Sequence, residues 1–285
     1  MNNSQINKFK NNAFRIFALL CTVLGLLVLV VLLYVLLSQG LERIDLSFLT
    51  SLPSRVASRA GIYTALGGMV WVLILTILIA FPIGIAAGIY LEEYGRRNYF
   101  TNLVEVNISN LAGVPSIIYG ILGLELFGRF LGLGNSILTG SLTLSLLILP
   151  LIIVSTREAV KAVPYSMREA SYGLGATKWQ TVWNVVLPSA FGSIITGLIL
   201  AISRAIGETA PLIVIGALVY VPFMPESPMD EFTVLPIQIF NWVTRPQSGF
   251  ITNAAAAILV LLAFTFTLNL IAILLRNRYN KRTKY

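Results

Sequence analysis

Two oppositely charged residues, Arg204 and Glu208, lie within an otherwise apolar run of the sequence, flanked by Ser203 and Thr209. An arginine at the centre of a membrane helix costs about 2.5–3.5 kcal/mol on insertion scales. Counted from Pro188 at 1.5 Å per residue, Arg204 lies roughly 24 Å along a helix, well inside a bilayer. A spacing of four places the pair on one face of that predicted helix. It is either a structural ion pair or an anion site, since a guanidinium can bind an oxyanion through two hydrogen bonds.

A polar segment, residues 157–188, separates this run from the preceding apolar one. Residues 169–174 predict a short helix that glycines end, and residues 178–186 predict a second, amphipathic helix that stops before Pro188. Two short helices around a glycine turn can insert as a knob into a cleft of another protein. The alternative is an amphipathic loop with no partner.

The composition requires a membrane to surround these segments. Of 285 residues, 56% are hydrophobic and only 11% are charged, whereas soluble domains carry about 25% charged residues. The apolar residues fall in runs long enough to span a bilayer. We therefore predict an all-α, polytopic membrane protein with six transmembrane helices. Their approximate bounds are residues 15–37, 61–91, 106–131, 136–155, 191–219 and 253–275.

Several classes of function are excluded by the residues that are missing. There is no histidine, the single cysteine is Cys21, and no metal-ligand set or G-x-x-x-x-G-K-[ST] stretch occurs. His-dependent triads, common metal sites and ATP hydrolysis by this chain are therefore not expected. The net charge of +8 reflects Lys and Arg in loops and at the C-terminus rather than nucleic-acid binding. The positive-inside rule places both termini and the 157–188 loop in the cytoplasm.

Local signals refine this picture. Small residues at Gly84 and Gly88 predict close approach of a neighbouring helix. Pro115 breaks a helical hydrogen bond, which produces either a packed kink or a hinge beside a pathway. Residues 235–243 can form a short helix in a proline-rich connector. We divide the chain into a tail, first helix and external connector (1–60), a five-helix transmembrane domain (61–275) and a basic cytoplasmic tail (276–285).

The polar loop resembles a known motif. Glu169-Ala170-Ser171, three residues, Gly175, nine residues, Val185, one residue and Leu187-Pro188 are similar to the EAA loop of the permease subunits of bacterial ABC importers. Serine in place of the usual third alanine is a mild departure. The resemblance implies the type I (MetI-like) importer permease fold. It also implies that Glu169, Ala170 and Gly175 couple the permease to an ATPase subunit.

The charged pair also lies in a recognisable motif. Residues 203–211, SRAIGETAP, resemble the R-A-x-G-E-T-A-P signature of phosphate-specific importer permeases, as does NLAGVPSIIYG at 110–120. The latter segment and FNWVTRPQ at 240–247 favour the PstA-type subunit over its PstC-type paralogue. The resemblance implies that Arg204 and Glu208 act in phosphate passage, and Ser203 and Thr209 could add hydroxyl contacts.

The resemblance therefore predicts a non-catalytic permease subunit of an ATP-driven phosphate importer in the bacterial plasma (inner) membrane. Its expected partners are a PstC-type paralogue, two copies of an ATPase subunit, an extracytoplasmic phosphate-binding protein, inorganic phosphate and membrane lipid, with no nucleic acid. This chain is expected to bind no cofactor, and ATP is used by the ATPase subunit. Alternatives are a permease for sulfate or molybdate, the PstC-type subunit itself, a passive anion channel and an intramembrane enzyme.

Overall fold

The computed structural model describes residues 3–96, 98–217 and 220–282, and these residues are almost entirely helical. The helices are α1 (Asn3–Gly40), α2 (Leu46–Thr50), α3 (Tyr63–Ile89), α4 (Tyr99–Leu111), α5 (Ser116–Gly123), α6 (Ile137–Lys161), α7 (Tyr165–Gly173), α8 (Lys178–Thr181), α9 (Leu187–Gly207), α10 (Ala210–Ile215), α11 (Leu235–Val243) and α12 (Ser248–Arg282). π-Helical segments extend α3 (Tyr90–Tyr94) and α5 (Leu124–Phe130) and join α8 to α9 (Val182–Val186). The all-α prediction is confirmed.

The segments that can cross a membrane agree with the predicted spans. Among the described residues, five segments are long and apolar enough by themselves, and a bent pair formed by α4 and α5 supplies a sixth if it is counted as one span. We call the end of the bundle that bears residues 157–188 the loop end and the opposite end the far end. The predicted division at residues 60 and 275 stays a prediction, and residues 218–219 and 283–285, which close the predicted fifth span and the basic tail, lie outside the described residues.

The core of the bundle is the packing of α3 on α6 and of α6 on α9. A Cβ atom added at Gly84 would lie 2.5 Å from Ile152 Cγ2, and one added at Gly88 would lie 2.7 Å from Thr156 Cβ. Hydroxyls reinforce the contact, since Thr76 donates to the Ser141 carbonyl at 3.3 Å across the two helices. The predicted close approach at these glycines is confirmed, because small residues let two helix backbones meet.

The predicted third span is not one helix. α4 and the extended α5 meet at an angle of 103°. Pro115 cannot donate a backbone hydrogen bond, and Gly113 and Val114 instead donate to Asn110 and Leu111 in a tight turn. The proline that predicts a kink therefore produces a sharp bend, because the residues before it also leave the helical conformation.

The predicted fifth span also differs from the structure at both ends. A 30-residue helical segment, Lys178–Gly207, includes α8, the π-helical turn and α9, so the predicted stop before Pro188 is wrong. Pro188 has no backbone N–H to donate, and the wider π-helical turn just before it lets the helix continue without that hydrogen bond. At the other end, the helix stops at Gly207 rather than running through to 219. Pro211 explains this stop, because it cannot donate to the Gly207 carbonyl four residues earlier.

The far end is closed by the connector after α10. Its residues 220–234 turn back into the bundle, where Phe232 is buried. The carbonyls of Pro228 and Asp230 accept hydrogen bonds from Leu138 and Ile137 at 2.8 and 3.0 Å. These carbonyls satisfy backbone donors in the first turn of α6 that have no partner within the helix. The predicted short helix at 235–243 is confirmed as α11, with the same bounds.

The first helix lies at the outside of the bundle. Its apolar stretch is exposed in this chain, and α1 packs chiefly along α12. Arg43, directly after α1, fixes its far end by donating to Asn253 Oδ1 at 3.0 Å and to the Ala60 carbonyl at 3.1 Å. The helix is thus attached to the bundle chiefly through α12 and this arginine.

We predict that Gly84→Leu destabilises the bundle, because its side chain must displace Ile152 in the contact between α3 and α6. Overpacking of a core typically costs about 1–3 kcal/mol, so the thermal unfolding midpoint of the detergent-purified chain should fall by several degrees. Gly25→Leu is the matched control, since a Cβ atom at Gly25 has no neighbour within 4 Å. Equal midpoints for the two variants would contradict the packing described here.

Candidate functional site

Two groups of residues carry the candidate function: a cluster at the loop end and the pair Arg204–Glu208. At the loop end, Arg168 on α7 is buried, with 8% of its surface exposed. Its Nη2 and Nε atoms lie 2.7 and 3.0 Å from Oε1 of Glu93, which follows α3. The same guanidinium donates to the carbonyls of Val163 at 2.6 Å and Val160 at 3.0 Å. Arg168 thereby joins α7 to the ends of α3 and α6.

A second arginine extends this cluster. Arg157 on α6 contacts Glu92 and Glu105, each at 3.0 Å, and so ties α6 to the end of α3 and to α4. Burial, reinforced by the neighbouring Glu93 carboxylate, raises the pKa of the Tyr172 phenol on α7 above its usual value.

The turn between α7 and α8 explains the glycine of the loop motif. Gly175 has φ +82°, a left-handed conformation that favours glycine. Its N–H donates to the Tyr172 carbonyl at 2.9 Å, and the next N–H, of Ala176, donates to Ser171 at 3.2 Å. These are the two bonds of a Schellman motif, which closes the end of α7. Thr177 then begins α8 with a capping box to Gln180.

The surface around this turn is apolar and exposed. The exposed fraction is 90% for Leu174, 67% for Tyr165 and 62% for Trp179. Glu169 and Ala170 are also exposed on α7. We call this set, Tyr165, Glu169, Ala170, Leu174 and Trp179, the turn surface. Exposed apolar side chains grouped within a polar loop are typical of a protein–protein contact.

The second candidate group lies where α9 ends. Arg204 occupies the last turn of α9, while Glu208 follows the helix with φ −74° and ψ 119°, an extended conformation. The prediction that both residues share a face of one continuous helix is therefore wrong. The side chains nevertheless meet, with Arg204 Nε 3.4 Å from Glu208 Oε1. The negative end of the α9 dipole also favours the arginine cation.

The short helix α10, which follows the break after α9, packs against α5, which follows the bend after α4. A Cβ atom added at Gly120 on α5 would lie 2.7 Å from Cα of Pro211, so the two segments are in close contact. Tyr119, next to Gly120, donates its hydroxyl to the Leu111 carbonyl at 2.8 Å and closes the end of α4. The structure thus brings together the two segments that the sequence marks separately, 110–120 and 203–211.

The two flanking hydroxyls differ in their surroundings. The Ser203 Oγ atom lies 2.9 Å from the Ile199 carbonyl and 2.8 Å from Oδ1 of Asn269 on α12. Thr209 Oγ1 lies 3.4 Å from the Gly207 carbonyl, beside Glu208. Ser203 is therefore engaged in the contact between α9 and α12, whereas Thr209 lies at the break with Arg204 and Glu208.

Sequence reasoning missed Arg168 and its partner Glu93. A signal was available, because Arg168 directly precedes Glu169 in the loop motif, and Glu92 and Glu93 are two adjacent acidic residues at the end of an apolar span. Neither observation alone predicts that Arg168 pairs with Glu93, because the two residues are 75 positions apart in the sequence.

We predict that Glu93→Ala loosens the α7–α8 turn, because it leaves the buried Arg168 without its counter-charge. Removing one partner of a buried ion pair costs about 3–5 kcal/mol. Amide hydrogen exchange across residues 165–181 should therefore accelerate by at least about 100-fold in the purified protein. The control is Glu158→Ala, since Glu158 is exposed and its ion pair with Lys161 is long, at 4.0 Å. Unchanged exchange in Glu93→Ala would show that the ion pair does not hold the turn.

Comparison with known proteins agrees with this architecture. A family model described as "Binding-protein-dependent transport system inner membrane component" matches residues 80–285. The probable ABC transporter permease protein YqgI of Bacillus subtilis is 34% identical, over 87% of this chain and 90% of the relative. The phosphate transport system permease protein PstA 1 of Mycobacterium tuberculosis is 32% identical, over 94% of this chain and 89% of the relative. The phosphate transport system permease protein PstA of Mycobacterium leprae is 34% identical, over 90% and 86%.

Solved structures support the same fold. A bacterial ABC transporter involved in the import of the acidic polysaccharide alginate has a TM-score of 0.64 at 13% identity, covering 99% of this chain and 100% of that chain. The inward-facing MetNI methionine ABC transporter has a TM-score of 0.54 at 17% identity, covering 79% and 95%. The chain therefore belongs to the family of binding-protein-dependent transport system inner membrane components, and it is a multi-pass permease subunit of an ABC importer.

Proposed function

We propose that this chain is the PstA-type permease subunit of an ATP-driven phosphate importer and forms half of the translocation path. The observation that carries the proposal is the placement of Arg204 and Glu208 at a helix break whose following helix, α10, packs on α5, the helix that follows a second break. Backbone that leaves the helix at membrane depth is tolerated where it is buried in protein or lines a water-filled cavity. Charged residues inside a membrane domain are commonly part of a substrate path.

The chemistry of Arg204 suits phosphate. A guanidinium stays charged at any physiological pH and forms two parallel hydrogen bonds with an oxyanion. Its side chain is 38% exposed in this chain, so an anion can reach it. The relatives named as phosphate transport system permeases support this choice of substrate. Thr209 adds a hydroxyl beside Glu208. Ser203 contributes mainly to the contact between α9 and α12, through its hydrogen bond to Asn269.

The turn surface provides the dock for an ATPase subunit. Glu169, Ala170 and the Gly175 turn present it, and the Arg168–Glu93 pair holds it to α3 and α6. On this proposal the chain is itself non-catalytic, binds no cofactor and depends on ATP hydrolysis by two copies of the ATPase subunit. Both termini and the loop end then face the cytoplasm of a bacterium, in its plasma (inner) membrane, in contact with lipid.

A complete path requires further proteins. One chain contributes a single set of helices, with α1 exposed along its apolar length, so a PstC-type paralogue is proposed as the other half. An extracytoplasmic phosphate-binding protein would deliver inorganic phosphate at the far end.

We predict that Arg204→Gln abolishes most uptake of labelled phosphate by cells that carry the complete transporter. Loss of hydrogen bonds from a charged donor should reduce uptake by about 10- to 100-fold, while membrane abundance and ATPase co-purification stay unchanged. Arg129→Gln is the control, since Arg129 is exposed and also pairs with a glutamate four residues away, at the far end. Uptake that survives in Arg204→Gln would make Arg204 a structural partner of Glu208 and contradict its role in the path.

We also predict that Leu174→Glu detaches the ATPase subunit. A carboxylate in the apolar centre of the turn surface should weaken the contact by about tenfold or more, measured as ATPase co-purified per permease. Leu46→Glu is the control, because Leu46 is 77% exposed but lies on α2 at the far end. Equal ATPase recovery for both variants would place the dock elsewhere.

A further inference from the structure

We propose that Glu208 is a specificity-determining residue: its carboxylate admits tetrahedral oxyanions that retain a proton, such as phosphate and arsenate, and excludes fully deprotonated ones, such as sulfate. This inference rests on the proposed function, because it assumes that an oxyanion binds at Arg204. It adds a role for the negative charge that lies beside the anion-binding arginine.

The ion pair leaves most of the arginine available. Glu208 contacts Arg204 through one pair of atoms, Nε and Oε1, at 3.4 Å. Across residues 3–96, 98–217 and 220–282, no oxygen other than Glu208 Oε1 accepts a hydrogen bond from the Arg204 guanidinium. The edge formed by Nη1 and Nη2 can therefore receive two oxygens of an anion while Glu208 stays in place.

The backbone that carries the Glu208 carboxylate is held in place beside Arg204. Only 17% of the Glu208 side chain is exposed, and its backbone N–H donates to the Ala205 carbonyl at 3.3 Å. Pro211 fixes the chain just beyond it, in close contact with Gly120 on α5. An oxyanion on the free edge of Arg204 consequently lies next to a held carboxylate.

An ionised carboxylate can only accept hydrogen bonds. It therefore repels an oxyanion whose oxygens are all acceptors, and it binds one that offers a hydroxyl. Near neutral pH phosphate and arsenate keep at least one proton, whereas sulfate keeps none. In a partly buried site, the hydroxyl of a protonated anion donates a charge-assisted hydrogen bond to the carboxylate. A fully deprotonated anion has no such hydrogen bond and is repelled by the carboxylate charge.

The test uses the complete transporter, with the paralogue and ATPase subunits, in lipid nanodiscs and without the phosphate-binding protein, whose own selectivity is thereby removed. Bound labelled phosphate is displaced by unlabelled sulfate or arsenate at neutral pH. Arsenate is the matched competitor, since it shares the shape and the proton of phosphate. For the wild-type chain, arsenate should displace the label and sulfate should not.

In Glu208→Gln the amide can donate to sulfate, so the ratio of sulfate to arsenate inhibition constants should fall by about 10- to 100-fold. Glu208→Ala serves the same purpose if the amide variant does not assemble. An unchanged ratio in the variant, or equal displacement by the two anions in the wild type, overturns the inference. Phosphate binding that is absent from the wild type, or undiminished in Arg204→Gln, would instead contradict the proposed function itself.

Discussion

Every backbone N–H and C=O group at membrane depth needs a partner within the protein, and this requirement governs where the helices of this chain can stop. The bend after α4 meets it through the Tyr119 hydroxyl, which donates to the Leu111 carbonyl. The break after α9 meets it in part through Glu208, whose N–H donates to Ala205. Each break is accompanied by a proline, and the helices that follow the two breaks, α5 and α10, are in close contact through Gly120 and Pro211. The charged pair is therefore located at a break where the backbone N–H of Glu208 has a partner within the protein.

The loop end obeys a related rule, since a buried charge must also be paired. Arg168 meets this rule through Glu93 and the end carbonyls of α6. The α7–α8 turn is thereby fixed to α3 and α6, while α8 runs without a break into α9. Arg204 lies about 39 Å from Lys178 along this helical segment, at 1.5 Å per residue. If an ATPase displaces the turn surface, one continuous element connects that displacement to the proposed anion site.

The sequence predicts the elements of the fold better than their ends. Hydropathy identifies the membrane-spanning segments because each is a long apolar run, and α11 is predicted with its observed bounds. The end of α9 at Gly207 was predictable in principle from Pro211. Proline has no backbone N–H, so it cannot make the helical hydrogen bond to the carbonyl of Gly207, four residues earlier. Pro188 shows why such reasoning fails elsewhere, because a π turn lets a helix continue through it. Pro115 predicts an interruption, but the size of the bend, 103°, and the packing of α5 on α10 are tertiary features that no local pattern contains.

The candidate site shows the same limit. Arg204 and Glu208 are evident from charge within an apolar run, but their spacing suggests a regular helical ion pair. The structure instead places Glu208 beyond the helix, where only one atom pair joins the side chains. A bidentate pair would occupy two donors of the guanidinium and compete directly with an oxyanion. The single contact pairs the arginine charge through Nε while leaving Nη1 and Nη2 without a hydrogen-bond acceptor among the described residues. On the proposed function, the helix break reconciles two demands on one residue, since Arg204 has to be tolerated in an apolar environment without an anion and still has to bind one.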